Sequence, residues 1–138
     1  KQMSFPGGKK DETDTDLTHT ALRETEEEIG VRVQEIEVIG HLSDLYIVAS
    51  NFDVRPTIGY CKEIPKFLPD EYEVDSIEEI PLDDLMNDGL VKEKAINILH
   101  GVTIQAPYFD LNDKVVWGAT SMILAELKFI LKPFYSQM

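Results

Sequence analysis

The chain has 138 residues, 43% of them apolar, enough for one well-buried core and too few for two ordinary domains. Twenty-six acidic residues against thirteen basic ones leave a formal net charge of -13. A nucleic-acid backbone is therefore a poor partner, the more so because Lys9, Lys10, Arg55, Lys62, Lys66, Lys92 and Lys94 are scattered. The single cysteine, Cys61, excludes an internal disulfide. No apolar run reaches membrane-spanning length and no signal-type segment is present. The expectation is a cytoplasmic enzyme or binding module with neither nucleic acid nor membrane as partner.

In chain order, the first feature is a glycine turn, Ser4-Phe5-Pro6-Gly7-Gly8-Lys9-Lys10, reached abruptly from Lys1. Such an opening suits an autonomous domain or a piece of a longer protein. Asp16 can cap a helix over residues 17–29 that Gly30 closes in the left-handed conformation. Residues 31–42 read as strand, with a slip in the alternation that a bulge would repair. Residues 45–49 and 54–61 are further strands around the turn-like Ser50-Asn51-Phe52-Asp53.

Residues 71–80 alternate in part, and Pro81-Leu82-Asp83-Asp84-Leu85 leads into a short helix. Residues 102–108 and 114–117 pair as a hairpin around residues 109–113. The last element, about residues 119–131, is helical, with Thr120, Ile123, Leu124, Leu127, Ile130 and Leu131 on one face. Two helices against several strands suggest an α+β fold with a mixed sheet.

The first helix carries four glutamates within five residues. Taking about 100° per residue and Glu24 as origin, Glu28 stands about 40° to one side and Glu27 about 60° to the other. Three carboxylates share a face. Ala21, Leu22, Thr25 and Ile29 form the adjacent apolar stripe, while Glu26 and His19 point away. Like charges at Glu24 and Glu28 repel, and a hard divalent cation offsets that repulsion, which suits Mg2+ or Mn2+ better than zinc. Arg23, one turn before Glu27, can hold that carboxylate or contact phosphate. A solvated face on an acidic helix is the plain alternative.

Arg23-Glu24-Thr25-Glu26-Glu27-Glu28-Ile29-Gly30-Val31 resembles the core of the Nudix box, G-x5-E-x7-R-E-U-x-E-E-x-G-U, where U is a bulky aliphatic. Eight of these nine positions are compatible, and Thr25 stands where an aliphatic is usual. The front half departs: Gly8 leads by the usual spacing to Asp14, and one inserted residue then separates Asp14 from Arg23. The fourth carboxylate thus becomes an aspartate.

Within the Nudix hydrolases the chain resembles the coenzyme A pyrophosphatase branch through Phe5-Pro6-Gly7-Gly8-Lys9, Thr20-Ala21-Leu22-Arg23-Glu24, Ser50-Asn51-Phe52-Asp53-Val54-Arg55-Pro56, Ala106-Pro107-Tyr108-Phe109 and Val116-Trp117-Gly118-Ala119-Thr120. That branch's motif, L-L-T-x-R-x3-R-x3-G-x3-F-P-G-G, is represented only by its end, with its last internal glycine falling on Lys1.

The resemblance implies a Nudix-type α/β/α sandwich with a mixed β-sheet, a single domain over residues 1–138 lacking its first strands. It implies Mg2+ or Mn2+ held by Glu24, Glu27 and Glu28. Catalysis falls to Glu27, Glu28 and Arg23, completed by an acidic residue from another segment, for which Glu73 is the candidate, with Glu71 sharing its strand parity. Gly7, Gly8, Lys9, Phe52 and Tyr108 are the substrate-contact candidates, with Phe109 and Trp117 as further aromatic walls; filling the core is the plain alternative for all four aromatic residues.

The implied partner is a small nucleoside diphosphate derivative, coenzyme A, cut to 3',5'-ADP and 4'-phosphopantetheine. Hydrolysis of ADP-ribose, NADH or another nucleoside diphosphate, and a noncatalytic Nudix-fold binding module, are the alternatives. His19 and His100 are read as ordinary polar residues, and Cys61 as a buried or partly buried thiol. Both a monomer and a homodimer are compatible with the chain.

Overall fold

A computed structural model describes residues 2–137; Lys1, where the motif glycine falls, and Met138 lie outside them. The described residues form two compact units: one is Phe5–Ile77, the other residues 78–137 with residues 2–4. Both combine helix with antiparallel strands, and the α+β class expected from the sequence is what the chain adopts.

In the first unit, α1 spans Leu17–Ile29. Asp16 caps it by accepting the His19 amide at 2.8 Å, offsetting one of the donors a helix start leaves unpaired. Gly30 ends it at φ 75°, its amide donating to the Glu26 carbonyl. Two constraints meet at this glycine. The left-handed backbone disfavours a side chain, and a Cβ there would stand 2.6 Å from the Leu68 Cβ. Close approach at Gly30 lets the chain return along the helix end, where the Leu68 amide donates to the Ile29 carbonyl and the Asp70 amide to the Glu28 carbonyl, each at 2.8 Å.

Beyond α1 the strand expected over residues 31–42 is divided. Val33–Glu35 makes a 3-10 turn, and β1 is Glu37–His41. β2 (Leu45–Ile47) and β3 (Phe52–Val54) form a hairpin, so that Phe52 and Asp53 belong to a strand rather than to the turn. β4 (Thr57–Tyr60) pairs antiparallel with β1, and the register slips between Val38 and Gly40. This is the bulge that the broken alternation required.

The apolar stripe of α1 faces these strands. Ala21, Leu22, Thr25 and Ile29 line an apolar cavity of about 270 Å³ together with Ile36 and Cys61. Thr25 fits this aliphatic position because its hydroxyl donates to the Ala21 carbonyl at 2.7 Å, leaving its methyl group as the apolar part. Cys61 is half-buried.

In the second unit, α2 (Leu82–Met86) follows Pro81. β5 (Val91–Asn97), β6 (Thr103–Leu111) and β7 (Lys114–Val116) form an antiparallel sheet, and α3 spans Gly118–Tyr135. The β6–β7 turn is tighter than the sequence suggests, because Asn112 and Asp113 both take positive φ, 50° and 60°, as a two-residue hairpin turn requires. Leu85, Phe109, Leu111 and Val116 are the buried core, packed by Ile80, Leu124 and Leu127 among others. Of the two readings open to Phe109, core filling is the one the structure bears out.

Candidate functional site

The site is built from the loop before α1, the helix itself and the turn hung from its end. Arg23 is the hub of the first two. Its Nε and Nη2 donate to the two carboxylate oxygens of Asp14, each at 2.9 Å. Nη1 donates to Glu24 at 3.0 Å and to Glu27 at 3.2 Å. Nη2 also donates to the Lys9 carbonyl at 3.1 Å. A guanidinium has five N–H donors, and all five are committed here. Of the two roles open to Arg23 in the sequence, holding carboxylates in position is the one these bonds serve.

Asp14 is buried, at 4% exposure, and takes further bonds from the Thr20 hydroxyl at 2.9 Å and the Asp11 amide at 3.0 Å. Its carboxyl is held well below the usual carboxylate range, chiefly by the hydrogen bonds from Arg23, which outweigh the opposing effect of desolvation. Arg23 is correspondingly pushed up, first by Asp14. This aspartate, at the position where the Nudix pattern has its first glutamate, anchors Arg23 and is not free to bind anything else.

The remaining carboxylates behave differently. Glu28 is half-buried and its carboxyl is pushed up, first by desolvation and then by the negative charges of Glu24, Glu73 and Glu27, against a hydrogen bond from the Gly7 amide that favours the charged form. That amide donates to Glu28 Oε2 at 2.8 Å. Glu24 lies under the glycine turn: a Cβ on Gly8 would stand 2.6 Å from its carboxyl carbon. Absence of a side chain at Gly8 therefore makes room for the Glu24 carboxylate. Glu27 is the most open of the three, with 58% of its side chain exposed, and Glu26 is exposed too.

Glu73 arrives on a turn, not on a strand. No strand forms in residues 61–81; instead the Glu73 and Val74 amides both donate to the Asp70 carbonyl, and Asp70 is the residue whose amide is bonded to the helix end. The partial alternation around Glu71 and Glu73 was thus a misleading signal. The anchoring of this turn on the C-terminus of α1 is what brings the Glu73 charge within reach of Glu28.

Among the described residues no group of three or more His, Cys, Asp or Glu side chains is arranged to hold a metal ion. The bonds explain why: Glu24 and Glu27 are turned to Arg23, and Glu28 to the Gly7 amide. The donor chemistry still fits a hard cation, since Glu24, Glu27 and Glu28 supply carboxylate oxygens whose like charges act on one another, and Gly8 leaves space for the Glu24 carboxylate. Binding would exchange some of the internal bonds for bonds to the ion.

The other candidates are dispersed. Gly7, Gly8 and Lys9 make their contacts with Glu28, Glu24 and Arg23, so the turn shapes the carboxylate group. Phe52 is half-buried on β3, opposite Ile47. Tyr108 belongs to the other unit, on β6, with the Lys94 ammonium 5.9 Å from its ring centre. His19 serves the helix start: its Nδ1 accepts the Thr15 amide at 3.1 Å. The Thr20–Asp14 bond carries no local sequence signal, because the burial of Asp14 comes only with the fold. No helix is long and apolar enough to cross a membrane among the described residues.

The NUDIX domain family matches residues 1–100. The uncharacterized Nudix hydrolase NudL of Pectobacterium atrosepticum is 34% identical over 127 residues, covering 91% of this chain and 65% of that protein. Peroxisomal coenzyme A diphosphatase NUDT7 of Mus musculus is 31% identical over 136 residues, covering 94% of this chain and 57% of that protein. Nudix hydrolase 3 of Caenorhabditis elegans is 31% identical over 151 residues, with 96% and 61% covered. The chain thus spans roughly three fifths of the length of these relatives. With the glycine turn, the Arg23 hub and the glutamate-bearing helix all inside the matched segment, the chain belongs to the Nudix hydrolase superfamily.

Proposed function

We propose that this protein hydrolyses the diphosphate linkage of a nucleoside diphosphate derivative, with coenzyme A as substrate and 3',5'-ADP and 4'-phosphopantetheine as products. The observation that carries the reading is the seating of two helix glutamates under the glycine turn, Glu28 bonded to the Gly7 amide and Glu24 beneath Gly8, with the negative charges of Glu24, Glu27 and Glu73 acting on Glu28. Such crowding is unfavourable in the protein alone and becomes useful where positive charge is brought in with the substrate. The coenzyme A choice is supported by the similarity to a coenzyme A diphosphatase and by the Phe5-Pro6-Gly7-Gly8-Lys9 stretch. One domain is supported by a family match that crosses the boundary between the two units at residues 77 and 78.

Glu24, Glu27 and Glu28 would hold Mg2+ or Mn2+, which supplies neutralisation of the nonbridging oxygens and a more acidic bound water. Arg23 positions Glu24 and Glu27 through Nη1 and is itself positioned by Asp14. Glu73, carried on the turn that hangs from the end of α1, is the acidic residue from another segment that would complete the site. The Gly7 amide fixes the Glu28 carboxylate.

The test is incubation of the full-length protein with coenzyme A and magnesium, both products being resolved by chromatography, beside ADP-ribose and NADH. Preferential release of 3',5'-ADP and phosphopantetheine is expected. Turnover of ADP-ribose or NADH with none of coenzyme A would overturn the substrate and keep the hydrolysis. Ligand binding without turnover of any of the three would favour the noncatalytic module.

A further inference from the structure

The sheet of the second unit has two lysines on one face of β5, and they are treated differently. Lys92 pairs with Tyr108 and Lys94 with Ala106 in the β5–β6 register, so both lysines share a face with Tyr108 and Asp110. Lys92 is neutralised: its ammonium is 2.6 Å from the Asp110 carboxylate. Lys94 has no carboxylate partner among the described residues. Its ammonium stands instead 5.1 Å from the ring centre of Trp117 and 5.9 Å from that of Tyr108, and all three side chains are half-buried. Aromatic faces attract a cation without cancelling its charge.

An ammonium without a carboxylate partner among the described residues, half-withdrawn from water and flanked by two ring systems, is complementary to a phosphate joined to a flat base. In a chain of net charge -13 such a cation also offsets the field that an anionic ligand meets. The structure assigns to Lys94, Tyr108 and Trp117 the recognition of a phosphorylated nucleoside: Lys94 takes a phosphate monoester and the rings take the base. The choice of ligand rests on the proposed hydrolysis of coenzyme A, whose adenosine carries a 3'-phosphate outside the diphosphate that is cut. The residues themselves are drawn from the cation, the rings and the missing carboxylate.

Trp117 is the only tryptophan, so its fluorescence reports on this site alone and needs neither metal nor turnover. Titrating the full chain with 3',5'-ADP should give a saturable change. Lys94→Met should weaken binding about tenfold, as loss of one charge-assisted contact does. Lys94→Arg should retain most of the affinity, and adenosine, which lacks phosphate, should bind wild type and Lys94→Met alike. No saturable change, or equal affinity for 3',5'-ADP in wild type and a folded Lys94→Met, overturns the inference. Coenzyme A turnover separates it from the hydrolysis reading. Wild type active, with KM unchanged in Lys94→Met, overturns the inference alone. Wild type inactive on coenzyme A but binding 3',5'-ADP through Lys94 supports this site and removes the substrate.

Discussion

Asp14 and Glu28 are both carboxylates set against α1, yet their surroundings push them in opposite directions. Asp14 receives two hydrogen bonds from Arg23, one from Thr20 and one from the Asp11 amide, and its charged form is favoured despite burial. Glu28 receives one amide and faces three like charges, and its charged form is disfavoured. The first arrangement is complete within the protein; the second is complete only with something positive added.

That contrast is tested most severely by removing charge from the glutamate face of α1. Glu27→Gln should lower turnover by at least about 10²-fold while leaving the unfolding midpoint close to wild type, because its pairing with Arg23 is largely exposed to solvent. Glu26→Gln, one residue away on the exposed face, should be nearly neutral in both measurements. Equal loss of turnover in the two variants would sink the assignment of the catalytic face.

A methyl group can sharpen the comparison without altering any charge. Gly8→Ala would place a Cβ 2.6 Å from the Glu24 carboxyl carbon. The end of a glutamate side chain can move aside, so the fold should survive. Glu24 would then leave its place beside Arg23, and displacement of a site group by about 1 Å can cost about 10²-fold in rate. Steady-state kinetics with a parallel thermal melt checks this. A variant of unchanged activity would mean that the Gly8–Glu24 approach is incidental.

Much of this was legible before the structure. The bounds of α1, its Asp16 cap, its Gly30 end and its apolar stripe follow from local chemistry and periodicity, and the structure reproduces them. The slip repaired by a bulge was legible for the same reason. β5 was not. Val91-Lys92-Glu93-Lys94-Ala95-Ile96-Asn97 is charged and weakly alternating, and its strand exists because the next strand, β6, folds back on it and supplies seven register partners. Glu73 illustrates the other failure. Its place beside Glu28 depends on backbone bonds from residues 68 and 70 to the end of α1, which no local pattern announces. The role of Lys9 was likewise hidden, since its carbonyl, not its ammonium, meets Arg23.

The smallest expected effect lies in the pH dependence of stability, measured without divalent metal. Glu28 has a folded value raised above its ordinary 4.5, so the native state binds the proton more tightly and stability should rise as pH falls from that raised value toward 4.5. Asp14 acts with the opposite sign. Its folded value is depressed below the ordinary 3.8, so its stabilisation is fully present above 3.8 and is lost as pH falls further, through the folded value. Melting curves across the acid range should therefore show a gain before the loss, and Glu28→Gln should remove the gain while keeping the loss. A gain that persists in Glu28→Gln would place the strained carboxylate elsewhere. Magnesium added near neutrality should raise the wild-type midpoint more than that of Glu28→Gln, because the cation relieves at high pH the same repulsion that protonation relieves at low pH.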